Sequence, residues 1–148
     1  MDNQFVITSL VAAPPATLHM QFADGQCFTL DLAPIIGTNR SLARLGNPDV
    51  FASATVADGG HTVIWGSDDE LELASDNLRA RAIEQAGEFS HEFIWNWMAA
   101  HCLTLDTAAA AIGVSRRMLA YYRSGQKPIP RTVGLACIGW ETGKPIAA

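Results

Sequence analysis

Cysteine is too scarce here for a disulfide framework. Cys27, Cys102 and Cys137 are an odd number, and no two stand at the Cys-x-x-Cys spacing of a zinc knuckle or a redox pair. A reducing compartment fits, and the cytoplasm is the expected location. Basic charge is scarce as well. Lys plus Arg is 10 against 15 for Asp plus Glu, a formal net charge of -5, which argues against coating nucleic acid or an anionic membrane through bulk charge. The uncharged stretch from Asn3 to Ala23 is broken in its middle by Pro14-Pro15 and carries scattered polar residues, so it is not a spanning helix and no membrane partner is expected. A secretory leader is not expected either, because Asp2 stands where a basic residue belongs and the apolar part, Phe5 to Ala13, runs on into strand. A Walker loop, a GxGxxG turn and a GxSxG elbow are all missing, and no nucleophile, base or metal arrangement is legible. The expectation is therefore a protein that is not an enzyme and needs no cofactor.

What is present is enough apolar material for a core. With 148 residues and 49% hydrophobic content the chain can hold one ordinary domain or two small ones. Charge divides it. Residues 1–87 carry 4 basic and 11 acidic side chains, net -7, whereas residues 88–148 carry 6 basic and 4 acidic, net +2. The two sum to -5 and suggest two modules, 1–87 and 88–148.

The first module reads as mostly strand. Phe5 to Val11 is β-rich, Leu18, Met20 and Phe22 alternate with Thr17, His19 and Gln21, and Phe28, Leu30 and Leu32 alternate with Cys27, Thr29 and Asp31. A two-residue loop at Asp24-Gly25 would put the two apolar sets on opposite faces. A three-residue loop, Ala23-Asp24-Gly25, pairs Met20 with Phe28 and Leu18 with Leu30 and gives Gly25 a left-handed position. Pro34 to Leu45 is irregular, and Asn47-Pro48-Asp49 starts a short helical turn carrying Val50 and Phe51. A second hairpin, Ala54 to Ala57 and His61 to Trp65 around Asp58-Gly59-Gly60, puts Val63 and Trp65 on one face. Ser75 is placed to cap a helix from Asp76 to about Gln85 with Leu78, Ala82 and Ala86 inward, and Gly87 ends the module. The acidic run Asp68-Asp69-Glu70-Leu71-Glu72 lacks the glycine and ligand spacing of a calcium loop and reads as a solvated loop; His19 and His61 lie in predicted strands without partner spacing.

The second module carries the informative pattern. Phe89, Phe93, Trp97 and then Ala100 or His101 recur at helical spacing behind a Ser90 cap. Thr104 is placed to cap a short helix ending at Gly113, and Ser115 to cap another ending at Gly125. Two helices crossing steeply over a tight turn need a small residue where they approach, which Ala109 supplies, and a left-handed residue at the turn, which Gly113 supplies. Ala108, Ile112, Val114, Leu119 and Tyr122 then fall inward. Ser115, Arg116, Arg117, Ala120, Tyr121 and Ser124 fall outward. A last helix over Arg131 to Glu141 packs through Val133, Leu135, Ala136 and Trp140, leaving no room for another before Ala148.

With Ala109, Gly113-Val114-Ser115 and Leu119 through Tyr122 in place, residues 88–148 resemble a helix-turn-helix domain of the λ-repressor/Cro-like class. The resemblance implies double-stranded DNA as partner and the helix from Ser115 to Ser124 as a recognition helix in the major groove. It implies base or phosphate contacts from Arg116 and Arg117, stacking or hydrogen bonding to the backbone by Tyr121, and phosphate contacts by Arg123 and Lys127. Thr104, Ser115, Ala120, Ser124 and Arg131 complete the implied DNA-binding set. The four-helix form is shorter than the repressor type, which leaves open whether this module supplies its own dimer interface. Residues 4–80, with their Phe-x-Asp-Gly turn, Asp49 to Phe51 and an Ile64-Trp65 strand, resemble a small bacterial domain of unknown function that occurs joined to such modules in proteins named for DNA binding.

The expected fold class is thus α+β: a small β-rich N-terminal domain of two hairpins and a helix, then an all-α four-helix domain. The expected function is sequence-specific DNA binding by a homodimeric transcription regulator, because net +2 gives a single copy little hold on phosphates. Dimerisation, sensing or partner binding falls to the first module. The alternative is an antitoxin-like or adaptor protein whose acidic module grips a small partner protein, with DNA binding serving autoregulation or lost. Operator, sign of regulation, effector and oligomeric state are not legible.

Overall fold

The computed structural model describes residues 3–66 and 71–143, and the chain divides into two units, Met1–Gln85 and Ala86–Ala148. The architecture is α+β: among the described residues, all the strands lie in the first unit and the second holds four helices. Among the described residues no helix is long and apolar enough to cross a membrane.

Alternation builds the first sheet. After a 3-10 turn at Asn3–Phe5, β1 (Ile7–Ala13) pairs antiparallel with β2 (Thr17–Phe22), and β2 with β3 (Cys27–Asp31). Leu18, Met20 and Phe22 are buried while His19 and Gln21 face solvent. Leu18 stands opposite Leu30 and Met20 opposite Phe28, the register that keeps both apolar sets on one face. The Phe22 N–H donates to the Gln26 carbonyl across the loop, and Gly25 takes φ +89 within it.

The segment after β3, expected to be irregular, is helical. It forms α1 (Ala33–Thr38) and a 3-10 segment at Arg40–Gly46, which buries Leu42 and Leu45. Each piece is a turn or two long, too short for helical periodicity to show, and Pro34 sits where a first turn tolerates it. Asn47 then caps α2 (Pro48–Ala52), its Oδ1 accepting the Asp49 N–H, and Phe51 is fully buried. The second hairpin pairs β4 (Ala54–Ala57) with β5 (Thr62–Trp65) and sends Val63 and Trp65 inward. His61 lies in the turn, not in the strand.

A third strand, β6 (Glu72–Ala74), pairs with β5 and was not expected, because three residues with Leu73 as the one large apolar side chain show no alternation. Of the acidic run, Asp68, Asp69 and Glu70 lie outside the described residues; Leu71 is buried and Glu72 opens β6. α3 (Ser75–Gln85) buries Leu78 and Ala82 as expected. Ser75 begins this helix and does not cap it: its hydroxyl donates to the Phe5 carbonyl. Ala86 is exposed beyond the helix end, and Gln85 instead clasps β3, its side chain bonding both the N–H and the carbonyl of Asp31.

The second unit consists of α4 (His91–Ala100), α5 (Leu105–Ile112), α6 (Arg116–Ser124) and α7 (Arg131–Gly143). Ser90 caps α4 by accepting the Phe93 N–H. The buried face of α4 is Ile94, Trp97 and Met98; Phe89 precedes the helix, Phe93 is half-buried and Ala100 is exposed, so the expected stripe is rotated. α7 corrects the expectation similarly. It packs through Val133, Gly134, Cys137 and half-buried Trp140, while Leu135 is 50% exposed. The reason is close approach: a Cβ at 134 would stand 2.1 Å from the Phe89 ring, so glycine sets which side of α7 faces the core. Cys137 is buried there, and burial, with the Glu141 charge adding, pushes its thiol up to about 12.

Candidate nucleic-acid interface

The α5–α6 corner is held by backbone chemistry at both helix starts and at the turn. Thr104 Oγ1 accepts the Thr107 N–H at 3.1 Å while Thr107 Oγ1 accepts the Thr104 N–H at 2.8 Å, a reciprocal cap on α5. Gly113 ends α5 at φ +76, and the N–H groups of Gly113 and Val114 both donate to the Ala109 carbonyl. Ser115 Oγ accepts the Met118 N–H, starting α6, and Gly125 ends it at φ +80. Ala108 and Ala109 are buried, as are Leu119 and Tyr122, in the cluster formed with Ile94, Trp97 and Met98. Burying that side of α6 leaves the other side to solvent. Arg116 and Arg117 are exposed there, with Ala120, Tyr121 and Ser124 half-exposed in the following turns.

The structure brings most of the expected contact residues together around Tyr121. The Arg117 guanidinium donates from Nε and Nη2 to Tyr121 Oη at 3.3 and 3.2 Å, and Lys127 Nζ lies 4.8 Å from the ring centroid. Arg123 lies over a different ring, 4.4 Å from the centroid of Trp95. Arg116 pairs with Asp106 of α5 at 3.2 Å, but the side chains are 65% and 76% exposed, so the pair is worth a few tenths of a kcal/mol and opens readily. Ser115 and Thr104 spend their hydroxyls on the caps. Arg131 opens α7 and makes no hydrogen bond or ion pair with the others among the described residues.

Tyr121 registers this charge. The Arg117 hydrogen bond, then the charge of Arg117 and more weakly that of Lys127, lower its phenol below the ordinary value against a small opposing effect of burial. The chain has two tyrosines, so an ultraviolet titration of a Tyr122→Phe variant follows Tyr121 alone. In that background Arg117→Ala is expected to move the Tyr121 phenol upward; an unchanged titration would contradict the contact.

Two members of this surface escaped the sequence reading, Asp106 and Trp95. Asp106 looks like an ordinary first-turn acid. Trp95 had a usable signal: it is a large aromatic that stands off the buried stripe of its helix and is 50% exposed.

No family model matches the chain, and no curated protein matches it. Among solved structures it is similar to the crystal structure of a putative DNA-binding protein from Nitrosomonas europaea, at 39% identity and a TM-score of 0.84, over 95% of this chain and 89% of that one.

Proposed function

The chain belongs to the family of the Nitrosomonas europaea protein, and from that membership we propose that it binds double-stranded DNA through its second unit. In this reading α5 and α6 form a λ-repressor/Cro-like helix-turn-helix, with α6 lying in the major groove. Arg116 and Arg117, at the start of α6, reach guanine edges or flanking phosphates; Tyr121, Arg123 and Lys127 hold the backbone; Thr104 and Arg131, at two further helix starts, add backbone contacts. The observation that carries this reading is the α6 helix itself, whose buried side is anchored by Leu119 and Tyr122 while its exposed side opens with two arginines.

The chain then acts in the cytoplasm as a homodimeric transcription regulator, with no reaction of its own. Two copies are needed because net +2 on residues 88–148 is little charge for one copy to hold a duplex. The first unit is assigned dimerisation, sensing or partner binding.

Binding of a duplex by the Arg116→Ala/Arg117→Ala variant tests the reading. The expected loss is about a hundredfold, with a shallower salt dependence and unchanged melting. Parent affinity in the variant would contradict it. The net charge of -7 on residues 1–87 favours a second role, the gripping of a small basic partner by an antitoxin-like or adaptor protein. A basic protein that co-purifies with the chain and is released by salt would support that role.

A further inference from the structure

Beside α6 lies a surface groove of about 380 Å3, lined by Trp95 of α4, by Ala120, Tyr121, Arg123 and Ser124 of α6, and by Gln126. Arg123, in its lining, and Lys127, outside it, both rest on aromatic rings that line it: Arg123 on Trp95 and Lys127 on Tyr121. Neither makes an ion pair with a carboxylate among the described residues, unlike Arg116 with Asp106 or Arg79 with Asp24. The difference is electrostatic. A carboxylate holds a guanidinium but cancels its field, whereas an aromatic face holds it through a quadrupole that carries no net charge. Arg123 is therefore kept in place at the groove with its positive field intact. Trp95 is the residue that keeps it there. Its indole lies off the buried face of α4 made by Ile94, Trp97 and Met98 and is 50% exposed, so the core does not depend on it.

We propose that Trp95 is a positioning residue for DNA binding: its ring seats the Arg123 guanidinium so that it takes a backbone phosphate of duplex DNA in this groove. A planar guanidinium held on an indole is pre-oriented for two parallel hydrogen bonds to phosphate oxygens, and less side-chain freedom is lost on binding. Gln126, which also lines the groove, adds a neutral amide donor. The inference rests on the DNA reading above and extends the binding surface to α4, which that reading leaves out.

The test measures binding of the full chain to a labelled, mixed-sequence duplex of about 20 base pairs, between about 50 and 200 mM salt. Parent, Trp95→Ala, Trp95→Phe, Arg123→Ala and the Trp95→Ala/Arg123→Ala double variant are compared. Arg123→Ala is expected to bind about tenfold more weakly, with a salt slope lower by about 1. Trp95→Ala is expected to lose about fivefold and Trp95→Phe to stay near the parent, because a phenyl face still seats the cation. In the Arg123→Ala background, Trp95→Ala is expected to add nothing, since its effect passes through Arg123. Parent-like binding by Trp95→Ala, or its full loss persisting without Arg123, would overturn the positioning role while leaving the DNA reading standing. Failure of the parent to bind the duplex at low salt would overturn both.

Discussion

Replacing Arg79 by alanine is expected to cost the first unit about 3 kcal/mol, a large part of the stability of a unit this small. Arg79 is 6% exposed on α3 and joins three parts of the unit. Its Nη2 pairs with Asp24 Oδ2 at 2.9 Å in the β2–β3 loop, its Nη1 donates to the Gln4 carbonyl at 2.7 Å, and its guanidinium lies 5.0 and 4.8 Å from the rings of Phe22 and Phe28. Truncation leaves the Asp24 carboxylate and the Gln4 carbonyl facing a void beside the paired rings of Phe22 and Phe28. Loss of one partner of a fully buried pair costs about 3–5 kcal/mol; the Asp24 side chain is 24% exposed, so the lower end applies. Lysine keeps the charge but has one point donor for two acceptors and no planar face for the rings, so Arg79→Lys is expected to recover only part of the loss.

The same contact sets an acid limit. Burial pushes the Asp24 carboxyl up, but the Arg79 hydrogen bond, the Gln26 N–H and the guanidinium charge outweigh it, and the group ends below its ordinary value of 3.8. A carboxyl with a depressed folded-state value contributes stability that is fully present above the ordinary carboxylate range and is lost as pH falls through the folded value. That acid-sensitive increment is expected in the parent and absent in Arg79→Ala. Amide exchange at Leu18 and Leu30, on paired strands of the first sheet, reads both effects. Unchanged protection in Arg79→Ala would contradict them.

Leu119→Ala is expected to cost the second unit about 3 kcal/mol and, with it, duplex binding. Leu119 is fully buried, on the side of α6 turned away from Arg117, within the cluster that includes Ile94, Trp97 and Ala108. A unit of this size has few such anchors, so the void both destabilises it and frees α6 to shift. Leu119→Met keeps the volume and is expected to restore most of the stability and the binding. Urea melts of the two variants separate cavity from chemistry; equal stability of Leu119→Ala and parent would remove α6 packing from the explanation of the site.

The elements visible in the sequence are those where one local rule dominates. Period-2 alternation marks β2 and β3, and the demand that both apolar sets share a face selects the loop at Gly25. Side-chain caps at Ser90, Thr104 and Ser115 and left-handed glycines at 113 and 125 mark the ends of α4, α5 and α6. Elements decided by tertiary contact were not visible. β6 exists because β5 offers it an edge, and α1 and the 3-10 segment because Leu42 and Leu45 reach the core from short turns. On α7, Gly134 is inward and Leu135 outward because Phe89 demands a residue without a side chain, a reversal that hydrophobicity alone cannot show. At the candidate site the positions of Arg116, Arg117 and Tyr121 follow from helical phase, whereas the seating of Arg123 on Trp95 joins residues on two helices and is set by tertiary packing that no local pattern encodes.

Selection of bound duplexes from a random library at moderate salt, with Arg116→Ala/Arg117→Ala in parallel, tests the assignment of α6 most directly. Sequence-specific binding by a dimer through α6 predicts an enriched palindromic motif, half-sites about one helical turn apart or a multiple of it, lost in the double variant. A library with no enriched motif, or a motif recovered equally by the variant, would contradict it.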